Sequence, residues 1–214
     1  MAQPREPSCV KLICGALSAD VQLLDAALGP LTAAFGPADL VGQTLDFIWT
    51  EYYDAQMGRP LYRRFVSFEN LVRPDFLVQA KLHTNRIEDD VAAAREGPPP
   101  RPINLDPGYI EESKLVLASM KNFSHRIYLS QGVYAEVTLL YRKGRWESLE
   151  WTFPDYASGS YDAFLTAARD RLREQKDGGS RVSPCLSDRR RGTAYGKDEK
   201  RSSRMTRAGK EAKG

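Results

Sequence analysis

The sequence predicts an α+β protein: a mixed, largely antiparallel sheet with helices packed on it, compatible with a start as a split βαβ (ferredoxin-like) unit. Three observations predict it. Apolar runs and amphipathic stretches follow one another in the order strand, helix, strand, strand, helix, strand over residues 10–106. Residues 125–153 then read as two hairpins. With 42% hydrophobic residues in 214, the chain has enough apolar surface for one sizeable core.

Residues 10–17 (VKLICGAL) form a nearly continuous apolar run, the pattern of a central strand covered on both faces. Val21, Leu24, Leu28, Leu31 and Phe35 then mark one face of a helix, which Gly29-Pro30 kinks or divides before Gly36-Pro37 ends it. Residues 44–50 and 62–69 read as strands joined by a loop. Pro74-Asp75 starts a second helix, whose repeat of Phe76, Leu77, Ala80, Ile87 and Val91 extends to about Arg95, where Gly97 and Pro98-Pro99-Pro100 stop it. A short strand at 102–106 and a helix over roughly 109–120 follow. In the first hairpin a three-residue loop, Ser130-Gln131-Gly132, keeps Ile127, Leu129, Val133, Ala135, Val137 and Leu139 on one face. The same register sets Arg126 opposite Glu136 and Tyr128 opposite Tyr134. The second hairpin turns near Lys143-Gly144 and returns through Leu149, Trp151 and Phe153. Ser160 caps a last helix, with Tyr161, Phe164, Leu165, Ala168 and Leu172 as its apolar stripe.

Three segments are expected: a disordered start at 1–8, one domain at 9–176 and a basic disordered tail at 177–214. Residues 178–214 hold 11 Lys and Arg against 4 Asp and Glu, a net +7 within a whole-chain +3, so residues 1–177 carry −4. Such a tail can hold nucleic acid weakly by neutralising phosphates, or be a solvated appendage, since Tyr195 is its one stacking ring. No run of 18 apolar residues marks a membrane span, and the first residues lack a signal-peptide layout, so a cytoplasmic protein with no membrane contact is expected. Cys9, Cys14 and Cys185 have no metal-ligand spacing, and Cys9 and Cys14 point to opposite faces of one strand, so buried thiols are expected. Oligomeric state is not legible.

Chemistry-bearing side chains concentrate between residues 104 and 136. Asn104 and Asp106 share one face of a strand end, a usual place for ligand contacts; equally, Asp106-Pro107 is a turn and a helix cap. Lys114 and Lys121, at i and i+7 of the expected helix, precede His125 and Arg126, so three permanent cations would stand near a group able to transfer a proton. Glu136 would position a ligand, or only make a cross-strand pair with Arg126. Tyr109 and Asn85 complete the set. His125, Asp106, Glu136 and Asp155 could supply a divalent metal, although their spacing defines none. The chain has no G-x-x-x-x-G-K-[ST] loop, no G-x-G-x-x-G, no H-E-x-x-H and no G-x-S-x-G. The leading expectation is a protein binding a phosphorylated small molecule or nucleotide. His125, Glu136 and Asp106 would be the catalytic residues if a reaction occurs, with Asn104, Tyr109, Lys114, Lys121, Arg126 and Asn85 as ligand contacts and no cofactor specified. The alternative is a non-catalytic interaction module with a nucleic-acid-binding tail.

Several segments carry a family resemblance: Lys11-Leu12 with Gly15, Asp46-Phe47, Thr50-Glu51-Tyr52-Tyr53, Met57-Gly58, residues 64–68 (RFVSF), Lys81-Leu82 and Thr84-Asn85. Its strongest parts are residues 104–109 (NLDPGY), 113–118 (SKLVLA), 121–129 (KNFSHRIYL), 132–139 (GVYAEVTL) and 151–156 (WTFPDY). Across residues 9–176 the chain resembles the uncharacterised prokaryotic family called domain of unknown function 4416. The resemblance implies no established activity. Some members carry the label GTP-binding protein, for which this chain offers the cationic cluster but no phosphate loop. Pro30 falls where the family looks like an unbroken helix, and the basic tail lies beyond the resemblance.

Overall fold

The computed structural model describes residues 3–178 together with Cys185. Nearly all of the basic tail, and with it the nucleic-acid expectation, lies outside the described residues. A nine-stranded sheet forms the middle layer. Its first half holds β1 (Val10–Ser18), β2 (Ala38–Val41), β3 (Leu45–Asp46), β4 (Tyr62–Val72) and β5 (Asn104–Glu111). The second half holds β6 (Lys114–Ser119), β7 (Ile127–Ser130), β8 (Val133–Arg142) and β9 (Arg145–Ser148). Strand order is β2-β4-β1-β5-β6-β8-β7, with β3 beside β4 and β9 beside β8. All these pairings are antiparallel. The order β2-β4-β1-β5, with its connecting helices on one face, is that of a split βαβ unit.

Helices α1 (Val21–Ala26), α2 (Leu28–Phe35) and α4 (Leu77–Ala93) cover that face. They bury Leu24, Leu31, Phe35, Ala80 and Ile87 against Leu12, Cys14 and Ala16 of β1 and Val66 and Phe68 of β4. On the opposite face α6 (Asp162–Asp177) sets Leu165 and Ala168 against Ile13, Phe65, Ile110, Leu115 and Leu117. The one-turn helices α3 (Asp54–Met57) and α5 (Pro154–Ala157) lie in the connections after β3 and β9. Because both faces of β1 are covered, all nine of its residues are buried, which explains its unbroken apolar run. Each of its large side chains contributes about 1.5–3 kcal/mol on leaving water. Gly29-Pro30 divides the first helix as expected: Ala27 closes α1, and Pro30 sits in the first turn of α2, where its missing N–H removes no hydrogen bond within that helix.

Four expectations need correction. The helix at 109–120 is instead the hairpin β5–β6, with Glu111 paired to Lys114. Leu115, Val116, Leu117 and Ala118 are all buried because both faces of β6 are covered, so no alternation marks it as a strand. The strand at 44–50 shrinks to β3, and β2 forms earlier, at Ala38–Val41. The first hairpin loop has two residues, not three: Gln131 and Gly132 have positive φ and Ser130 pairs with Val133. A bulge between Tyr128 and Ser130 restores the Tyr128–Tyr134 pair, whose rings meet at 5.3 Å. A second shift, between β6 and β8 at Leu115/Val116, turns Leu139 to the α6 face while Val133, Ala135 and Val137 pack with α4; Ile127 and Leu129, on an edge strand, stay exposed. Finally, Cys9 is not a free thiol but is joined to Cys185, leaving Cys14 buried and free. The Lys143-Gly144 turn stands as expected, but its return strand β9 ends at Ser148, before Leu149, Trp151 and Phe153; the stripe of α6 also stands, although the helix starts after Tyr161 without a side-chain cap. Among the described residues, no helix is long and apolar enough to cross a membrane.

Candidate functional site

The sheet opens at one end. β5 pairs with β1 over its whole first stretch, from Asn104 opposite Leu17 to Ile110 opposite Lys11. It pairs with β6 only from Gly108 opposite Leu117 to Glu111 opposite Lys114. Gly108 is the last point of contact: a Cβ there would lie 2.5 Å from Leu117 Cδ2 and 2.6 Å from the Val116 carbonyl oxygen, so only glycine admits this approach. Beyond it, Asn104–Asp106 and Ala118–Ser119 diverge. The backbone groups this leaves on β5 are satisfied by α4 instead of a strand. Glu88 Oε1 accepts from the Leu105 N–H at 2.7 Å, and Lys81 Nζ donates to the Leu105 carbonyl at 2.9 Å. Lys81, Asn85 and Glu88, four and three residues apart, lie on one side of α4.

The resulting cleft has a volume of about 790 Å³. Its floor is an ionic chain drawn from both faces of the sheet. Arg63, at the start of β4, places Nη1 3.3 Å from Asp106 Oδ2 and Nη2 3.8 Å from Asp155 Oδ2. Asn104 Nδ2 donates to Asp106 Oδ2 at 2.6 Å, and Lys81 Nζ stands 3.7 Å from Asp106 Oδ1. Arg101 donates to Glu88 Oε2 at 2.8 Å and also to Asn104 Oδ1. Gly15 of β1 makes room for the guanidinium, because a Cβ at that position would come within 2.8 Å of Phe65 Cε1 and 3.0 Å of Arg63 Nη1.

Burial and charge oppose each other here with different outcomes. Burial pushes the Asp106 carboxyl up, but Lys81 and Arg63, with the Asn104 hydrogen bond, overcome it and hold the group below the usual aspartate value. Burial wins at Asp155 and Glu88, which stay above theirs although Arg63 and Tyr161 act against it at the first and Lys81 and Arg101 at the second. Burial also raises Tyr156 well above an ordinary tyrosine, and it raises Tyr161 by more than the Arg63 guanidinium can offset. Arg63 itself is raised: desolvation lowers it, and Tyr156, Asp106 and Asp155 more than compensate.

Two donors in this neighbourhood have no hydrogen-bond partner among the described residues: Arg63 Nε and the Tyr156 hydroxyl, both sealed from solvent in residues 3% and 4% exposed. The mouth differs in character. Trp49, Tyr52, Met120 and Phe153 line it and remain exposed. Lys121 Nζ lies 4.8 Å from the Tyr52 ring centre and 2.5 Å from its hydroxyl, a hydrogen bond that lowers the Tyr52 phenol.

Of the residues expected from sequence, Asn85, Asn104, Asp106, Lys121, Arg126 and Glu136 line this cleft. Tyr109, Lys114 and His125 are not among its lining residues. Tyr109 packs between α4 and the sheet, and Lys114 pairs with Glu111 at the far end of β6, the end remote from Ser119. His125 stacks on Trp151 at 5.4 Å with the rings 7° apart, and its Nε2 lies 3.1 Å from Glu136 Oε2. Arg126 Nε donates to that same oxygen at 2.7 Å, which realises the expected cross-strand pair. The carboxylates weighed for a metal are engaged by cations: Arg63 bridges Asp106 and Asp155, and Arg126 holds Glu136. Among the described residues, no three His, Cys, Asp or Glu gather for a metal ion.

Arg63, Lys81, Arg101 and Tyr156 escaped the sequence reading. A signal for Lys81 existed: it shares the α4 side of Asn85 and Glu88 beside buried Leu77, Ala80 and Thr84, an odd place for a lysine unless it has a partner. Asp155 and Tyr156 are placed by Pro154, which starts α5 at the first helical position.

An antiparallel α+β sheet layered between helices, opened at one end over a buried ionic floor, defines this protein's class. The chain belongs to the family described as Domain of unknown function (DUF4416), whose family model matches residues 8–172. No curated protein and no solved structure matches it.

Proposed function

We propose that the cleft at the β5–β6 divergence binds a phosphorylated small molecule of nucleotide size carrying a single phosphate. The observation that carries this reading is a cavity of about 790 Å³, within the range of small-molecule sites, with Lys121 at its mouth and no carboxylate paired to that lysine among the described residues. Charge sets the number of phosphates. The lining holds five cations (Arg63, Lys81, Arg101, Lys121, Arg126) and five carboxylates (Glu88, Asp89, Asp106, Glu136, Asp155), so the site offers no net field for a polyphosphate. Lys121 is the lining cation without a carboxylate partner among the described residues, which makes it the anchor for the phosphate at the mouth. Trp49, Tyr52 and Phe153 supply faces for a planar ring. Asp106 and Glu136 orient the cationic side chains, and His125, braced by Trp151, holds Glu136.

Calorimetric titration with nucleoside monophosphates, diphosphates and inorganic phosphate tests this. A monophosphate that binds and loses about tenfold or more in affinity on Lys121→Ala supports it. No heat from any of them, or binding unchanged in Lys121→Ala, overturns it.

A further inference from the structure

One edge of the sheet is bare. β7 ends the strand order beyond β8, so the outward backbone N–H and C=O groups of Ile127–Ser130 meet no further strand among the described residues. Folded proteins shield such an edge with Lys, Pro, a bulge or a covering helix. β7 has the bulge, between Tyr128 and Ser130, but no Lys or Pro, and residues 127–135 (IYLSQGVYA) hold no charge at all. Its side chains are apolar and open to water: Ile127 is 70% exposed, Tyr128 58% and Leu129 38%. The apolar surface continues past the start of the strand. Phe123, 64% exposed, sets its ring 5.3 Å from that of His125, which stacks on the exposed Trp151. The cation just before the strand does not interrupt this surface, because the Arg126 side chain is 11% exposed and held by Glu136.

We propose that β7 is the interface of a homodimer, in which the β7 strands of two copies pair antiparallel about a two-fold axis and join two nine-stranded sheets into one. A strand laid antiparallel to itself is its own complement in hydrogen bonds. The area reaches what a stable pair needs. At about 150–250 Å² for a fully covered aromatic side chain and somewhat less for Ile or Leu, the exposed parts of Phe123, Ile127, Tyr128 and Leu129 come to roughly 400 Å² per copy. Two copies withdraw about 800 Å² through these side chains alone, and Trp151 with the paired backbone brings the total to the roughly 1,200 Å² at which specific interfaces begin. Charge selects a second copy over the chain's own basic segment: residues 178–214, at net +7, find no counter-charge on this edge, whereas two β7 strands oppose no like charges. The pairing needs no ligand and stands apart from the reading of the cleft. It would brace one wall of that cleft all the same, since Arg126, which lines it, directly precedes Ile127.

Sedimentation velocity with light scattering on the full chain, from about 1 to 100 µM, tests the pairing. The native protein is expected to reach twice the 24.0 kDa of one chain. Ile127→Lys and Leu129→Lys should each weaken dimerisation about tenfold or more, because the two-fold brings the added lysines of both copies together at a desolvated edge. Both positions are exposed, so the circular dichroism spectrum and cooperative melting should be retained. Val41→Lys puts the same charge on the opposite edge strand, β2, at a position 46% exposed, and should leave the dimer intact. A native protein that stays monomeric at the highest concentration, a dimer that survives both β7 variants, or one that Val41→Lys dissociates instead, overturns the β7 interface.

Discussion

Replacing Arg63 with methionine puts the largest strain on the ionic floor. The guanidinium is the group that touches both Asp106, at 3.3 Å, and Asp155, at 3.8 Å, and the Arg63 side chain is 4% exposed. Methionine keeps most of the volume, so packing against Phe47 and Phe65 survives. What remains is a buried Asp155 carboxylate, 6% exposed in its side chain, with the Tyr161 hydroxyl at 3.2 Å as its neighbour. Removing one partner of a buried pair costs about 3–5 kcal/mol, out of a total stability of about 5–15 kcal/mol, so the variant should fold but stand close to its limit. The cost belongs to a charge, which gives it a pH signature. Asp155 is already raised by burial and rises further without Arg63. A carboxyl whose folded pKa lies above its unfolded value favours folding when protonated and loses that contribution as pH rises through the folded value. The deficit of Arg63→Met should therefore grow from pH 5 to pH 8. Urea unfolding at both pH values, with Arg63→Met/Asp155→Asn as a companion, measures it. A deficit under about 1 kcal/mol, or one equal at pH 5 and pH 8, would refute the charge argument; the companion should recover more than half of the loss.

Two further expectations concern the same neighbourhood. Gly15→Ala places a methyl 2.8 Å from Phe65 Cε1 and 3.0 Å from Arg63 Nη1, so overpacking should cost about 1–3 kcal/mol in urea unfolding; a loss below about 0.5 kcal/mol would mean that the ring and guanidinium shift freely. Glu88 and Asp106 should tilt the pH–stability curve in opposite directions. Glu88 is raised above 4.5, so its contribution is present below that value and is lost as pH rises through its folded pKa; Asp106 is lowered below 3.8, so its contribution is present above that value and is lost as pH falls through its folded pKa. Glu88→Gln should flatten the decline above pH 4.5, and Asp106→Asn should flatten the rise with pH below pH 3.8. Denaturation curves from pH 3 to pH 7 that match native slopes in either variant would contradict the assignment.

The fold was largely written in local patterns. β1 announced itself because both faces are covered, and Gly29-Pro30 divided the first helix where the backbone chemistry required. The same double burial hid β6: with no exposed face there was no alternation, and its run of Leu and Val passed for a helix. That error carried Lys114 and Lys121 onto one face, whereas they belong to opposite ends of the β6 segment. Half of the cleft was visible as a dense segment from Asn104 to Glu136. The other half arrives through space: Arg63 comes from β4, Lys81 and Glu88 from α4, Asp155 and Tyr156 from α5. No periodicity in one segment announces a partner 40 or 90 residues away. The bulge that restores Tyr128 to Tyr134 shows the reverse, a correct pairing reached through a loop of different length.

At Leu105 the sheet has exchanged a neighbouring strand for two long side chains. A ladder yields only by unzipping, one pair dragging on the next, whereas Lys81 and Glu88 can each release the Leu105 backbone by a rotamer change without disturbing the ladder on either side. The floor of the cleft thereby has a compliance that the rest of the sheet lacks. Amide hydrogen exchange should find Leu105 opening far more readily than Leu12 or Cys14 on the neighbouring β1, and a bound ligand should close that difference.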